Sequence, residues 1–264
     1  MKAKGGTSEM RENDLHYHVA NLQGIGARQR QEDSFTVANA FDPEKIREQG
    51  LFFAVCDGMG GMKDGALASQ TAVAFLRNSF LTMDQTYDPA LQLKESVLAA
   101  SAEVEAVIGG DGGSTVVAGM ISPEGLYYAS VGDSFFYLLR EERLYRLNRE
   151  QNVCHRQYVE AIRDGSADPS DYQDREEAGA LTAFLGMEGL DDVDCSVRPL
   201  PLQPGDVLLA CSDGVGGVLM EDDVKKAMSI GSAQEICGQL ERRLAEYTRP
   251  NQDNYTAVVV VCTA

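Results

Sequence analysis

Apolar residues along the chain gather in short runs rather than long ones. Eight of these runs read as β-strands: residues 16–22 (HYHVANL), 34–40 (SFTVANA), 51–56 (LFFAVC), 114–122 (STVVAGMIS), 125–131 (GLYYASV), 134–140 (SFFYLLR), 206–212 (DVLLACS) and 254–262 (NYTAVVVVC). SPEG at 122–125 and REER at 140–143 are turn signals between neighbouring runs, so antiparallel hairpins are expected there. In three blocks, 66–80, 90–108 and 233–247, a 3.6-residue spacing replaces this pattern and predicts amphipathic helices. Strand runs broken by helices predict an α+β fold, with antiparallel sheets burying a common face and helices covering the outer ones. Residues 148–194 are rich in Asp, Glu, Gly and Gln and show little periodicity. They are expected to form a mobile insertion outside the core, since loops that long are usually functional or disordered.

No Pro/Gly/Ser-rich linker divides the 264 residues. The expected organisation is one domain over 15–264, behind a flexible tail at 1–14. With 23 Lys and Arg against 41 Asp and Glu, the formal charge is −18 and no basic stripe offsets it, so nucleic acid is not an expected partner. The longest apolar runs, 51–56 and 256–262, fall far short of the roughly 20 residues a membrane helix needs. No apolar stretch follows the early lysines as it would in a secretory signal. Six scattered cysteines without C-x-x-C spacing predict reduced, buried thiols in a cytoplasmic protein, not a disulfide framework or a zinc site.

Candidate chemistry begins with an internal echo. LFFAVCDGMGGM (51–62) and VLLACSDGVGGV (207–218) each run from an apolar strand into Asp-Gly and further glycine. This sets a carboxylate, Asp57 or Asp213, at a strand exit where the backbone can turn sharply. One Asp-Gly is ordinarily just a turn, but two matched copies suggest more. Glu32-Asp33 and Asp253-Asn254 also border strands. Four acidic positions converging on one sheet end would repel one another unless divalent cations neutralised them, and oxygen donors suit Mg²⁺ or Mn²⁺.

Seven segments, in order, resemble the metal-dependent serine/threonine protein phosphatases of the PPM, or type 2C, family. They are GIGARQRQEDS (24–34), VCDGMGGMKDGALAS (55–69), GGSTVVAG (112–119), SVGDSFFY (130–137), ALTAFLG (180–186), GDVLLACSDGVGG (205–217) and NQDNYTAVVVV (251–261). The resemblance spans 24–261 and is closest to bacterial-type members. It implies a four-layer α-β-β-α sandwich of two antiparallel sheets flanked by helix pairs, with a centre of two Mn²⁺ or Mg²⁺ ions at one end. Carried over, Asp57 would bridge the two ions and the Gly58 carbonyl would help bind one. Asp213 and Asp253 would complete the first ion's protein ligands, while Asp33 and Glu32 would serve the second directly or through water. Arg28 would hold the substrate phosphate, with Arg30 as a rival two residues along. Asp133 would share a weaker third ion with Asp213, against a plain reading as a turn residue. Asn254 would support Asp253 by hydrogen bonding.

The chain also departs from the family pattern. Met59 and Met62 stand where members carry a histidine, leaving no side-chain general acid. Phe135 replaces an arginine beside Asp133, removing a cation there, and Glu150-Gln151 replaces an Asp-His pair. His16 and His18 face one side of the first strand and read as a solvent-facing pair rather than a metal site, and His155 lies outside every motif. Asp191, Asp192 and Asp194 lack the spacing of a calcium loop and read as loop charge.

The implied activity is hydrolysis of phosphoserine and phosphothreonine on proteins by a water that two cations activate, without a phospho-enzyme. The partners would be phosphoproteins made by a serine/threonine kinase, the enzyme itself acting as a monomer. A catalytically silent binding module on the same sandwich is the alternative, and action on small phosphorylated metabolites a third reading. The acidic stretch 151–180 corresponds to a flap and predicts a preference for basic substrate flanks.

Overall fold

The computed structural model describes residues 15–60, 64–110, 112–165, 179–247 and 250–264. Two five-stranded sheets stack face to face. The first runs β1 (His16–Gly24), β12 (Tyr255–Thr263), β11 (Val207–Cys211), β8 (Phe135–Arg140) and β9 (Arg143–Arg146). The second runs β10 (Asp194–Cys195), β7 (Gly125–Val131), β6 (Val116–Ser122), β3 (Leu51–Cys56) and β2 (Ser34–Ala38). Every pairing in both is antiparallel. A small ribbon joins β4 (Gly58–Gly60) to β5 (Gly112–Ser114).

Three apolar layers follow from the two-residue period of the strands. In β3, Leu51, Phe53 and Val55 point between the sheets, where they meet Phe136, Leu208 and Val258. Phe52, Ala54 and Cys56 point outward onto α2 (Asp64–Leu81) and α3 (Pro89–Ile108), against Ala68, Leu76 and Val97. This strand is buried on both faces, which is why it reads as an unbroken apolar run. On the opposite outer face, Leu209, Val259 and Val261 pack against Val224, Ile236 and Leu240. Those residues belong to the helices 221–228 and 233–246, here α6 and α7. The result is the four-layer α-β-β-α sandwich, and both expected hairpins form, with Ser122 opposite Gly125 and Arg140 opposite Arg143.

Some elements escaped the periodicity. Helix α1 (Pro43–Gln49) has seven residues and no buried position, so its signals are only the Asp42 cap and Pro43 in the first turn. The stretch 148–194 is not wholly outside the core, contrary to expectation. Val153–Arg163 form helix α4, and Ala183, Leu185 and Val193 join the layer beneath α2 and α3. Composition hid this because polar side chains do part of the packing. Gln151, 2% exposed, accepts from the Gly132 N–H (2.7 Å) and donates to the Asp192 carbonyl (2.7 Å). Asp192 and Asp194 are engaged by Arg149. Residues 166–178 of the expected flap, the tail at 1–14 and Met62 lie outside the described residues.

Candidate metal centre

Strand register gathers the acidic positions at one end of the sandwich. Ser34 pairs with Cys56, so Asp33 and Asp57 leave β2 and β3 side by side. Cys211 is opposite both Ala257 and Phe135, so Asp213 emerges beside Asp253 and Asp133. The two Asp-Gly copies serve the same purpose. A Cβ on Gly58 would stand 2.0 Å from the Gly65 carbonyl oxygen and 2.6 Å from that of Glu32. A Cβ on Gly214 would stand 1.8 Å from the Asn254 carbonyl oxygen. Only glycine allows these approaches, which press each strand exit against the neighbouring acidic segment. The Gly58 N–H also donates to the Glu32 carbonyl (3.2 Å), while its own carbonyl faces Gly65 in the first turn of α2.

Two hydrogen bonds sew the halves together. Ser212 Oγ donates to Asp33 Oδ2 (2.8 Å), and the Glu32 N–H donates to Asn254 Oδ1 (2.7 Å). Asn254 hydrogen-bonds Asp253 as expected, through its backbone N–H to Asp253 Oδ1 (2.8 Å), while its side-chain amide donates to the Ile25 and Arg30 carbonyls (2.9 and 3.0 Å). Arg28 sits on the loop so held, its Nη2 2.6 Å from Asp253 Oδ2. Behind Asp57, Thr115 Oγ1 accepts from the Asp57 N–H (3.0 Å) and shares a hydrogen bond with Ser134 Oγ (2.7 Å).

Sequence reasoning missed Ser212, Thr115 and Ser134. A serine before Asp-Gly reads as a helix cap, yet no cap hydrogen bond forms at the short helix α5 (Asp213–Gly216), because that hydroxyl turns to Asp33. The cation thought lost with Phe135 returns from another strand. Arg146 of β9 stacks its guanidinium 3.7 Å from the centre of the Phe135 ring, donates to the Ser134 carbonyl (3.3 Å) and pairs with Glu150 (3.3 Å). Met59 lies in β4 opposite Gly113. His16 and His18 are exposed, with His18 Nε2 3.3 Å from Thr263 Oγ1.

The electrostatics are those of crowded carboxylates. Burial pushes Asp33 up to about 6 against its hydrogen bonds from Ser212 and Thr256, with the charge of Asp213 adding to the rise. Burial, then the charges of Asp33 and Asp213, hold Asp57 well above the usual carboxylate range. Asp213 is also raised by burial, with Asp253 adding and a hydrogen bond with Asp57 opposing. Asp133 rises to about 7 through burial and the charges of Asp213 and Glu150, with Arg146 opposing.

These residues fit hard divalent cations. Asp33 Oδ1 and Asp213 Oδ1 are buried with no hydrogen-bond partner among the described residues, and the donors are all oxygen. Among the described residues, no three His, Cys, Asp or Glu side chains stand close enough together to ligate one ion as they lie.

A sandwich with carboxylates crowded at one end defines a class of enzymes, and comparison with known proteins supplies the family. The sequence profile described as Protein phosphatase 2C matches residues 29–255. The chain belongs to the protein phosphatase 2C family and is a phosphatase of that class. The serine/threonine phosphatase stp of Listeria welshimeri is 31% identical over 195 residues, covering 69% of this chain and 75% of that protein. The serine/threonine protein phosphatase PstP of Mycobacterium tuberculosis is 27% identical over 232 residues, which are 84% of this chain and 42% of that longer protein. Solved structures share the fold. The PPM Ser-Thr phosphatase MsPP of Mycobacterium smegmatis superposes with a TM-score of 0.74 at 24% identity, covering 92% of this chain and 97% of that one. The catalytic domain of PstP in complex with two manganese ions gives 0.75 at 22%, covering 95% and 100%. Among the described residues, no helix is long and apolar enough to cross a membrane.

Proposed function

We propose that the chain hydrolyses phosphoserine and phosphothreonine esters on proteins with two divalent cations, Mn²⁺ or Mg²⁺. Asp33, Asp57, the Gly58 carbonyl, Asp213 and Asp253 would hold them, Glu32 acting directly or through water. The carrying observation is the pair of buried carboxylate oxygens, on Asp33 and Asp213, that lack any partner among the described residues. The relatives named serine/threonine phosphatases, and the structure titled with two manganese ions, support the same reading. When bound, the cations would acidify a shared water and neutralise charge developing at phosphorus.

The protein's own residues do the rest. Arg28 binds and orients the phosphate, its planar fork suiting two phosphate oxygens, and its contact with Asp253 puts that fork within reach of the carboxylates. Ser212 and Asn254 hold Asp33 and the Glu32 backbone in place. Because Met59 offers no proton, the departing seryl or threonyl oxygen takes its proton from solvent. Asp133, facing Asp213, would serve a weaker third cation. Six unpaired cysteines suit a reducing cytoplasm, with phosphoproteins from a serine/threonine kinase as substrates and a monomer as the working form. Retention of every expected carboxylate weighs against the silent module. The test is phosphate release from a phosphothreonine peptide: turnover with Mn²⁺ that EDTA removes is expected, and no cation-dependent release would overturn the reading.

A further inference from the structure

Three buried side-chain polar atoms lack a hydrogen-bond partner among the described residues: Asp33 Oδ1, Asp213 Oδ1 and Gln252 Oε1. Buried orphans are rare in native proteins and call for a reason. The two carboxylate oxygens have one in the proposed cations. Gln252 belongs to the same end of the molecule. Its Nε2 donates to the Gly214 carbonyl (3.2 Å), in the turn that begins with Asp213. Its backbone carbonyl accepts from the Ala27 N–H (2.8 Å), next to Arg28, and Asp253 is its chain neighbour.

We infer that Gln252 is a positioning residue of the cation centre, its buried Oε1 accepting a hydrogen bond from a water retained by the cation at Asp213 and Asp253. This rests on the reading of those aspartates as ligands. The chemistry favours an amide over its alternatives. A glutamate would add charge to carboxylates that already repel one another and would lose the donor to Gly214. An apolar residue would remove the acceptor. Glutamine supplies an uncharged acceptor on a side chain that its own N–H₂ group anchors, and a cation that keeps several waters needs such acceptors around it.

Calorimetric titration of the full chain with MnCl₂ tests this. Gln252→Met should weaken Mn²⁺ binding about tenfold, the lower range for groups that hydrogen-bond a metal's ligands. Gln252→Glu keeps an acceptor and adds negative charge beside the cation while losing the tie to Gly214, so affinity should stay at or above wild type. Met-variant affinity within twofold of wild type, or equal weakening in both variants, would overturn the inference, the second result leaving Gln252 only a tie between loops. If the Met variant does not fold, Gln252→Ala is compared in its place. A wild-type chain that takes up no Mn²⁺ would instead refute the cation centre itself.

Discussion

Asp206 and Asp33 are both buried, 0% and 4% exposed, at opposite ends of the same sandwich. Asp206 is fully partnered. Arg140 reaches it with two nitrogens, Nε at 2.8 Å from Oδ1 and Nη2 at 2.6 Å from Oδ2, and the Gln203 N–H adds a third bond (2.9 Å). Asp33 has hydroxyl help at one oxygen and nothing at the other among the described residues. Its nearest charged company is acidic, Asp57 and Asp213. One end uses a buried carboxylate as a fastening, in the geometry that makes an interior ion pair tolerable. The other keeps carboxylates in mutual repulsion, a standing cost that a protein retains where something else is to be bound.

The largest effect that would separate the ends is on catalysis. Asp213→Asn and Asp57→Asn should each lower Mn²⁺-dependent turnover by more than about a hundredfold while the fold persists, because each removes a charge the cations need. Stopped assays together with circular dichroism check this, and wild-type rates in Asp57→Asn would remove the mechanism. At the fastened end, Arg140→Met should destabilise the chain by about 3 kcal/mol by leaving Asp206 buried without its cation. Urea unfolding measures that loss, and the protein still folded should keep its turnover number.

A third effect is in pH. A carboxyl whose folded pKa lies above its unfolded value contributes stability that is fully present below the unfolded pKa and lost as pH rises through the folded one. With Asp33 at about 6 and Asp133 at about 7, the melting temperature in EDTA should therefore fall between pH 5 and 8. Asp33→Asn should flatten that slope and added Mn²⁺ should oppose it. A melting temperature that rises across this range in EDTA would contradict the electrostatic picture. Smallest of all, Arg28→Ala should raise KM about tenfold with less change in kcat. Its exposed pair with Asp253 adds little stability, so melting should hardly move.

Much of this was written in local pattern. The nearly unbroken apolar runs of β3, β7 and β8 and the two Asp-Gly exits follow from which side chains must avoid water and which backbone positions must turn. Those forces act over a few residues, so a linear reading recovers eight strands, the three longest helices and the acidic positions, but not the short strands β4, β9 and β10 or the outer helix α6. The type 2C resemblance placed the same acids in order along the chain.

What local pattern could not reveal depends on partners far apart in sequence. Ser212 finds Asp33 179 positions away, and Asn254 finds Glu32 across 222. Arg146 restores through a stacked ring the charge that position 135 lacks. Gln151 buries itself inside a stretch whose composition resembles a surface loop. Hydrogen bonds and charges of this kind have no periodicity, since their energy depends on distances that exist only once two sheets have stacked. Sequence determined which residues could carry the chemistry, and tertiary structure decided which of them meet, at which end, and with which oxygens left open.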